Sequence, residues 1–301
     1  MNFMGLVNAL PGAVAQGMIW GIMAIGVFIT FKVLDLADLT VDGSMVTGMA
    51  TCAMMMAAGC NVWISMLCAL IAGLLAGLVT GIFHTFMGIP AILAGILTQL
   101  ILWSVNLKIM GKANQALPAR NFPVLITQLR KYEALIYLAI ICVVLVIALY
   151  WFFGTKYGSS VRATGCNSTM ARAQGINTNM RIVFGLMLSN GIVAFSGALL
   201  AQYSGKADIN DGRGAIVIGL AAVIIGEAFI SKLPSNFIVH LFAVIVGGIV
   251  YYIVYQTVIF LGLDADLLKM LSALVVAIFL AVPYLKKKYF TRTKVLNKEA
   301  E

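Results

Sequence analysis

Charge is what this chain has least of: only 10% of its 301 residues are Asp, Glu, Lys or Arg, while 62% are hydrophobic. Water-soluble domains carry about 25% charged and about 45–50% apolar residues. A chain this poor in charge cannot cover its apolar surface in water, so the bilayer is its solvent. The mean hydropathy of +1.01 agrees. The sequence also lacks a G-x-x-x-x-G-K-[ST] phosphate loop, which excludes ATP binding in that manner. It has no H-E-x-x-H and no G-x-S-x-G, and its two histidines, His84 and His240, are far apart. These absences argue against an enzyme and leave no catalytic, cofactor or metal residue to name in the chain. If the protein moves a solute, the energy comes from an ion gradient or from a partner.

No C-x-x-C pair occurs among Cys52, Cys60, Cys68, Cys142 and Cys166, so neither a disulfide framework nor a zinc site is indicated. They read as small apolar residues. The net charge of +9 does not mark a nucleic-acid surface. The basic residues fall between apolar runs and at the C-terminal end, where topology explains them. The first of them, Lys32, follows the first long apolar stretch, so no cleavable signal peptide is expected.

A span needs about 20 mostly apolar residues. Candidates are Gly12–Phe31, Leu39–Ala58, Val62–His84, Ile89–Met110, Ala134–Phe153, Ile182–Tyr203, Gly214–Ile230, Phe237–Phe260 and Leu267–Tyr284. The expected fold is all-α: a polytopic bundle of about nine transmembrane helices, with eight to ten allowed. Residues 1–285 form one transmembrane domain and 286–301 a basic tail. The Lys286–Lys287–Lys288 tail and the Gly154–Met180 stretch should both be cytoplasmic, which puts the N-terminus outside. The basic stretch Gly111–Glu133 then falls outside, against the rule. A re-entrant segment or a further span near Phe122–Ile126 would relieve this.

Gly73, Gly77 and Gly81 share one helix face, as do Gly17 and Gly21, a pattern that lets helices pack closely in lipid. The 16 methionines read as core filler. Asp38–Ser44 and Asp208–Gly214 both lead into apolar runs, one entering from the cytoplasm and the other from outside. Such paired, interrupted helix starts are the trace of inverted repeats in transporters; two ordinary N-caps would look alike. Nearly every charge lies at a helix end, including Asp35, Asp38, Asp42, Glu227, Lys232, Asp264 and Asp266. Glu227 reads most simply as paired with Lys232. The intramembrane polar groups are mostly neutral: Gln99, Ser104, Asn106, Ser189, Asn190, Ser196 and His240. This argues against an ion-coupled engine. Asp38, Thr40, Asp42, Ser44, Gln99, Asn106 and Asn190 are candidates for a translocation path, with helix glue as the plain reading of each.

The stretch Val161–Asn177 is polar, and Asn167 or Ser168 can start a short helix that Gly175 ends. Read as R-A-x-G-x-N-x-x-x-A-R-x-x-G-I, it resembles the coupling segment of ATP-binding-cassette importer permeases of the branched-chain amino acid and ribose type. Asp38–Ser44, Ile89–Leu97, Asn106–Asn114 and Ile224–Glu227 are similar to a subgroup of that family associated with tryptophan or tyrosine uptake. Ser168 departs from the family, which commonly has proline there.

The resemblance implies a permease subunit in the bacterial inner membrane, working as a homodimer. ATP and Mg would sit on separate cytoplasmic ATP-binding subunits, docked on a coupling loop within 156–180. An extracytoplasmic substrate-binding lipoprotein would deliver the solute, an aromatic amino acid by the same resemblance. Arg162, Ala163, Gly165, Asn167, Ala171, Arg172, Gly175 and Ile176 are the ATPase-coupling residues it carries over. The competing readings are a secondary carrier acting alone and, less well supported for want of a filter motif, a channel.

Overall fold

A computed structural model describes residues 3–117, 124–230 and 236–260, with Met270, Ala273, Leu274, Ala277 and Ala281 beyond them. The helices are α1 (Phe3–Phe28), α2 (Val41–Ala57), α3 (Val62–Thr85), α4 (Ala91–Met110), α5 (Lys131–Gly154), α6 (Lys156–Cys166), α7 (Ser168–Ala173), α8 (Thr178–Ser204), α9 (Ala215–Ile230) and α10 (Phe237–Phe260). Two short strands, β1 (Asn114–Ala116) and β2 (Lys206–Asp208), pair antiparallel. The expected last span, Leu267–Tyr284, and the basic tail lie outside the described segments.

Helix α8 is the axis. The glycine stripe of α3 meets it: a Cβ on Gly77 would run into the backbone of Leu186 and Met187, and one on Gly73 into Asn190. Gly17 and Gly21 likewise lie against Ile249 and Ile245 of α10. Without a hydrophobic drive between helices in lipid, this close approach carries the association. Gly77→Val should therefore force α3 off α8 and destabilise by at least about 1–3 kcal/mol. The fall in melting temperature of the detergent-solubilised protein reads this out.

Helix α8 runs from a loop end, where α6 and α7 sit, to a strand end, where β1 and β2 pair. Helix α1 runs the other way, since Ser189 and Ser196 donate to the carbonyls of Gly26 and Ile19, both at 2.7 Å. A π-helical turn at Ile29–Val33 widens the end of α1, and Asp35 at φ 55° turns the chain out of the helix. The chain then climbs irregularly to the middle of the bundle before α2 begins.

Among the described residues six helices are long and apolar enough to cross a membrane. Two further expected spans are shorter helices: α2 and α9 have 17 and 16 residues, about 25 Å each, against about 30 Å of hydrocarbon. Their N-termini meet near the middle of α8. Ser44, in the first turn of α2, bonds Asn190, and Cys52 nearer its end meets Gln202, so α2 runs to the strand end. Gly219 of α9 lies against Met23 and Val27, and Glu227 reaches Lys32, so α9 runs to the loop end. The two interrupted starts thus have opposite sense, as read from the sequence. A run of apolar residues cannot distinguish a full span from an irregular entry followed by a short helix.

The described parts of the awkward Gly111–Glu133 stretch lie at the strand end; residues 118–123, including Phe122 of the further span considered, lie outside the described residues. Gly111 ends α4 at φ 69°; the Leu117 N–H then donates to the Gly205 carbonyl at 2.7 Å, and Leu125 N–H to Gln202 at 3.1 Å. Described residues near Ile126 form an irregular stretch and a 3₁₀ turn at Gln128–Arg130 rather than a further span.

Candidate functional site

The polar residues singled out in the sequence separate into two neighbouring groups. Asp38, Thr40, Ser44 and Asn190 form a closed network. Asn190 donates through Nδ2 to Asp38 Oδ2 at 2.7 Å, and Ser44 Oγ donates to Asn190 Oδ1 at 2.6 Å. The other Asp38 oxygen accepts from the Thr40 N–H at 2.9 Å, and Thr40 shares a 2.8 Å hydroxyl bond with Thr80 of α3. All five side chains are buried. Such groups in lipid must be satisfied internally; here they fasten the irregular Leu34–Thr40 segment to α3 and α8.

Asp42, Gln99 and Asn106 line a cavity of about 230 Å³ beside that network. It lies between α2, α4 and the Ile209–Arg213 stretch that re-enters from the strand end. Small against the about 300–1,000 Å³ of drug-sized sites, it has the scale of one small solute. Asp42 belongs to the first turn of α2, yet its carboxylate accepts from Gly214 N–H and Ile216 N–H, each at 2.9 Å. One carboxylate is held between two helix N-termini, where the helix dipoles favour negative charge. Asn106 donates weakly to the Gly43 carbonyl at 3.4 Å, while its buried Oδ1 has no hydrogen-bond partner. Trp103 and Arg213 complete the cavity. The sequence offered no signal for these two, because each is an ordinary exposed residue until α4 and the re-entrant stretch come together.

At the loop end, α7 is a short helix with the expected start: Asn167 Oδ1 accepts from Met170 N–H at 3.0 Å, and Gly175 at φ 76° closes it. Ser168 takes the position after the cap without disturbing it. Ala171 is buried, with its carbonyl accepting from Ile176 N–H at 3.0 Å. Arg172 Nε donates to Thr178 Oγ1 at 2.8 Å, tying α7 to the start of α8. Met170 stands 60% exposed on α7, an apolar knob the sequence reading passed over.

Helix α6 was not anticipated, its Ser-, Gly- and Thr-rich sequence having little helical propensity. Thr155 caps it, and Ala163 accepts the N–H of Asn167 at 3.0 Å near its end. Gly165 presses it onto the backbone of Val33 and Leu34, leaving no room for a Cβ. Arg162 lies over the Phe237 ring at 5.4 Å. Glu227 pairs with Lys32 at 3.1 Å; its expected partner, Lys232, lies outside the described residues. The loop therefore touches the ends of α1 and α10 directly and stands beside the Lys32–Glu227 pair that joins α1 to α9.

Residues 10–282 match the family described as branched-chain amino acid transport system / permease component. A tyrosine transport system permease protein of Clostridioides difficile (strain R20291) is 37% identical over 275 residues, 91% of each chain. An uncharacterised protein of Rickettsia prowazekii (strain Madrid E) is 31% identical over 91% of this chain and 97% of its own. An autoinducer 2 import system permease protein of Yersinia pseudotuberculosis is 28% identical over 63% of this chain and 54% of its own. The fold is similar to a chain of PsaBC from Streptococcus pneumoniae in complex with Fab, with a TM-score of 0.52, 17% identity and coverage of 97% and 96%. The chain belongs to the permease component family of branched-chain amino acid transport systems and is an integral membrane permease of the ABC importer type.

Proposed function

We propose that this permease moves an amino acid, aromatic in class, inward across the bacterial inner membrane as one half of a homodimer. ATP-hydrolysing subunits, carrying ATP and Mg, grip α7 at the loop end, which is the cytoplasmic face. A substrate-binding lipoprotein docks at the strand end. The C-terminal tail belongs to the cytoplasmic side.

The observation that carries the reading is the placement of the loop. Helix α7 is capped, exposed and tied to α8, while α6 rests on Val33 and Leu34. From Leu34 the chain leads straight through Asp38 and Thr40 to Asp42 at the cavity. A push on α7 thus reaches the cavity through packed backbone, and ATP needs only to favour one arrangement of that element over the other. The tyrosine permease relative supports the aromatic class. In the cavity, Trp103 offers a ring face, Arg213 a partner for a carboxylate, and Asn106 Oδ1 an acceptor for an ammonium group.

Uptake of labelled tyrosine into proteoliposomes tests the reading. The permease with its ATPase, and with the binding protein supplied outside, should accumulate solute only when ATP is enclosed in the lumen. Uptake by the permease alone, driven by a proton or sodium gradient, would overturn it in favour of a secondary carrier.

A further inference from the structure

Between α3, α5 and α8, at the loop end, the surface opens into a groove of about 750 Å³. Its walls are apolar, with Ile82, Trp151, Phe184 and Met187 among them, and the one charged residue in its lining is Arg181. Arg181 lies in the first turn of α8, its guanidinium 4.6 Å from the centre of the Tyr157 ring. No carboxylate among the described residues pairs with it, and its Nε is buried without a hydrogen-bond partner. Buried donors need an acceptor, and this one points to an acceptor from outside the protein.

The groove faces the surroundings of the bundle: Trp151 is 74% exposed and Phe184 41%. In lipid such a surface takes an acyl chain, whereas a soluble metabolite would leave most of the wall uncovered. Trp151 and Tyr157 suit the level of the headgroups, and a guanidinium at that level matches a phosphate in charge and geometry. A zwitterionic lipid would add its own cation beside Arg181, with no carboxylate in the groove lining to receive it. We propose that the α3–α5–α8 groove is a binding site for an anionic phospholipid, its acyl chain along Ile82, Phe184 and Met187 and its phosphate on Arg181. The site is separate from the solute cavity and independent of which solute is carried.

Brominated lipids test it through Trp151. The permease, with Trp20, Trp63 and Trp103 changed to Phe, is reconstituted with a minor fraction of dibrominated phosphatidylglycerol or dibrominated phosphatidylcholine. Phosphatidylglycerol should bind about fivefold more tightly, the expected effect of one basic residue near the membrane surface. Arg181→Gln should bring the two lipids level, and millimolar inorganic phosphate should not relieve the quenching. Native mass spectrometry of the otherwise unaltered protein gives the same comparison should the tryptophan variant fold poorly. Equal binding of both lipids, a preference that survives Arg181→Gln, or displacement by inorganic phosphate would each overturn the proposal, the last by showing a free-anion site.

Discussion

Asp42→Ala should cut ATP-dependent uptake at least about tenfold while the protein still inserts. The carboxylate accepts two backbone N–H groups, from Gly214 and Ile216. Each donor left unsatisfied costs up to about 1–3 kcal/mol, less where water in the cavity replaces the lost acceptor. The N-terminus of α9 should therefore slip away from α2 and spoil the cavity wall between them. Asp42→Asn keeps an acceptor and should retain more activity than alanine, though without the charge that answers two helix N-termini. Transport measured beside a melting curve separates the effects: a variant that melts like the parent and transports normally would remove Asp42 from the site.

Arg172→Glu should abolish stable docking of the ATPase. Its direct structural cost is the 2.8 Å bond to Thr178, which Thr178→Val removes without altering the surface charge of α7. The prediction is a split between the two: Thr178→Val assembles a complex and hydrolyses ATP under transport control, whereas Arg172→Glu is inserted but copurifies with little or no ATPase. Equal behaviour of both would mean that Arg172 only holds α7 in place. Met170 stands exposed on the same short helix, and Met170→Glu should weaken docking in the same direction.

Hydropathy made the membrane class legible, and the spacing of Gly73, Gly77 and Gly81 announced the face that α8 covers. Asn167 and Gly175 marked α7 because capping is a local matter of one side chain and one positive φ. What stayed hidden depends on distant partners. Asp38–Ser44 and Asp208–Gly214 marked two interrupted helix starts, but nothing local showed that the two share a carboxylate, since its bonds join residues 172 and 174 positions apart. Lys32 and Glu227 are 195 positions apart. Trp103 and Arg213 acquire a role only when α4 and the re-entrant stretch enclose one space. Local signals fix helix ends; tertiary closure decides which polar groups face a cavity and which merely fasten the bundle.

The central claim is that movement at α7 reaches the cavity, and the accessibility of that cavity through the ATP cycle tests it most directly. A single cysteine at Gln99, in a chain whose own cysteines are replaced, is labelled with a membrane-impermeant maleimide from either face of the reconstituted complex. Trapping the ATP-bound state should change the labelling rate from the two faces several-fold and in opposite directions, and Arg172→Glu should erase that change. Identical rates from both faces, with and without ATP, would contradict the account.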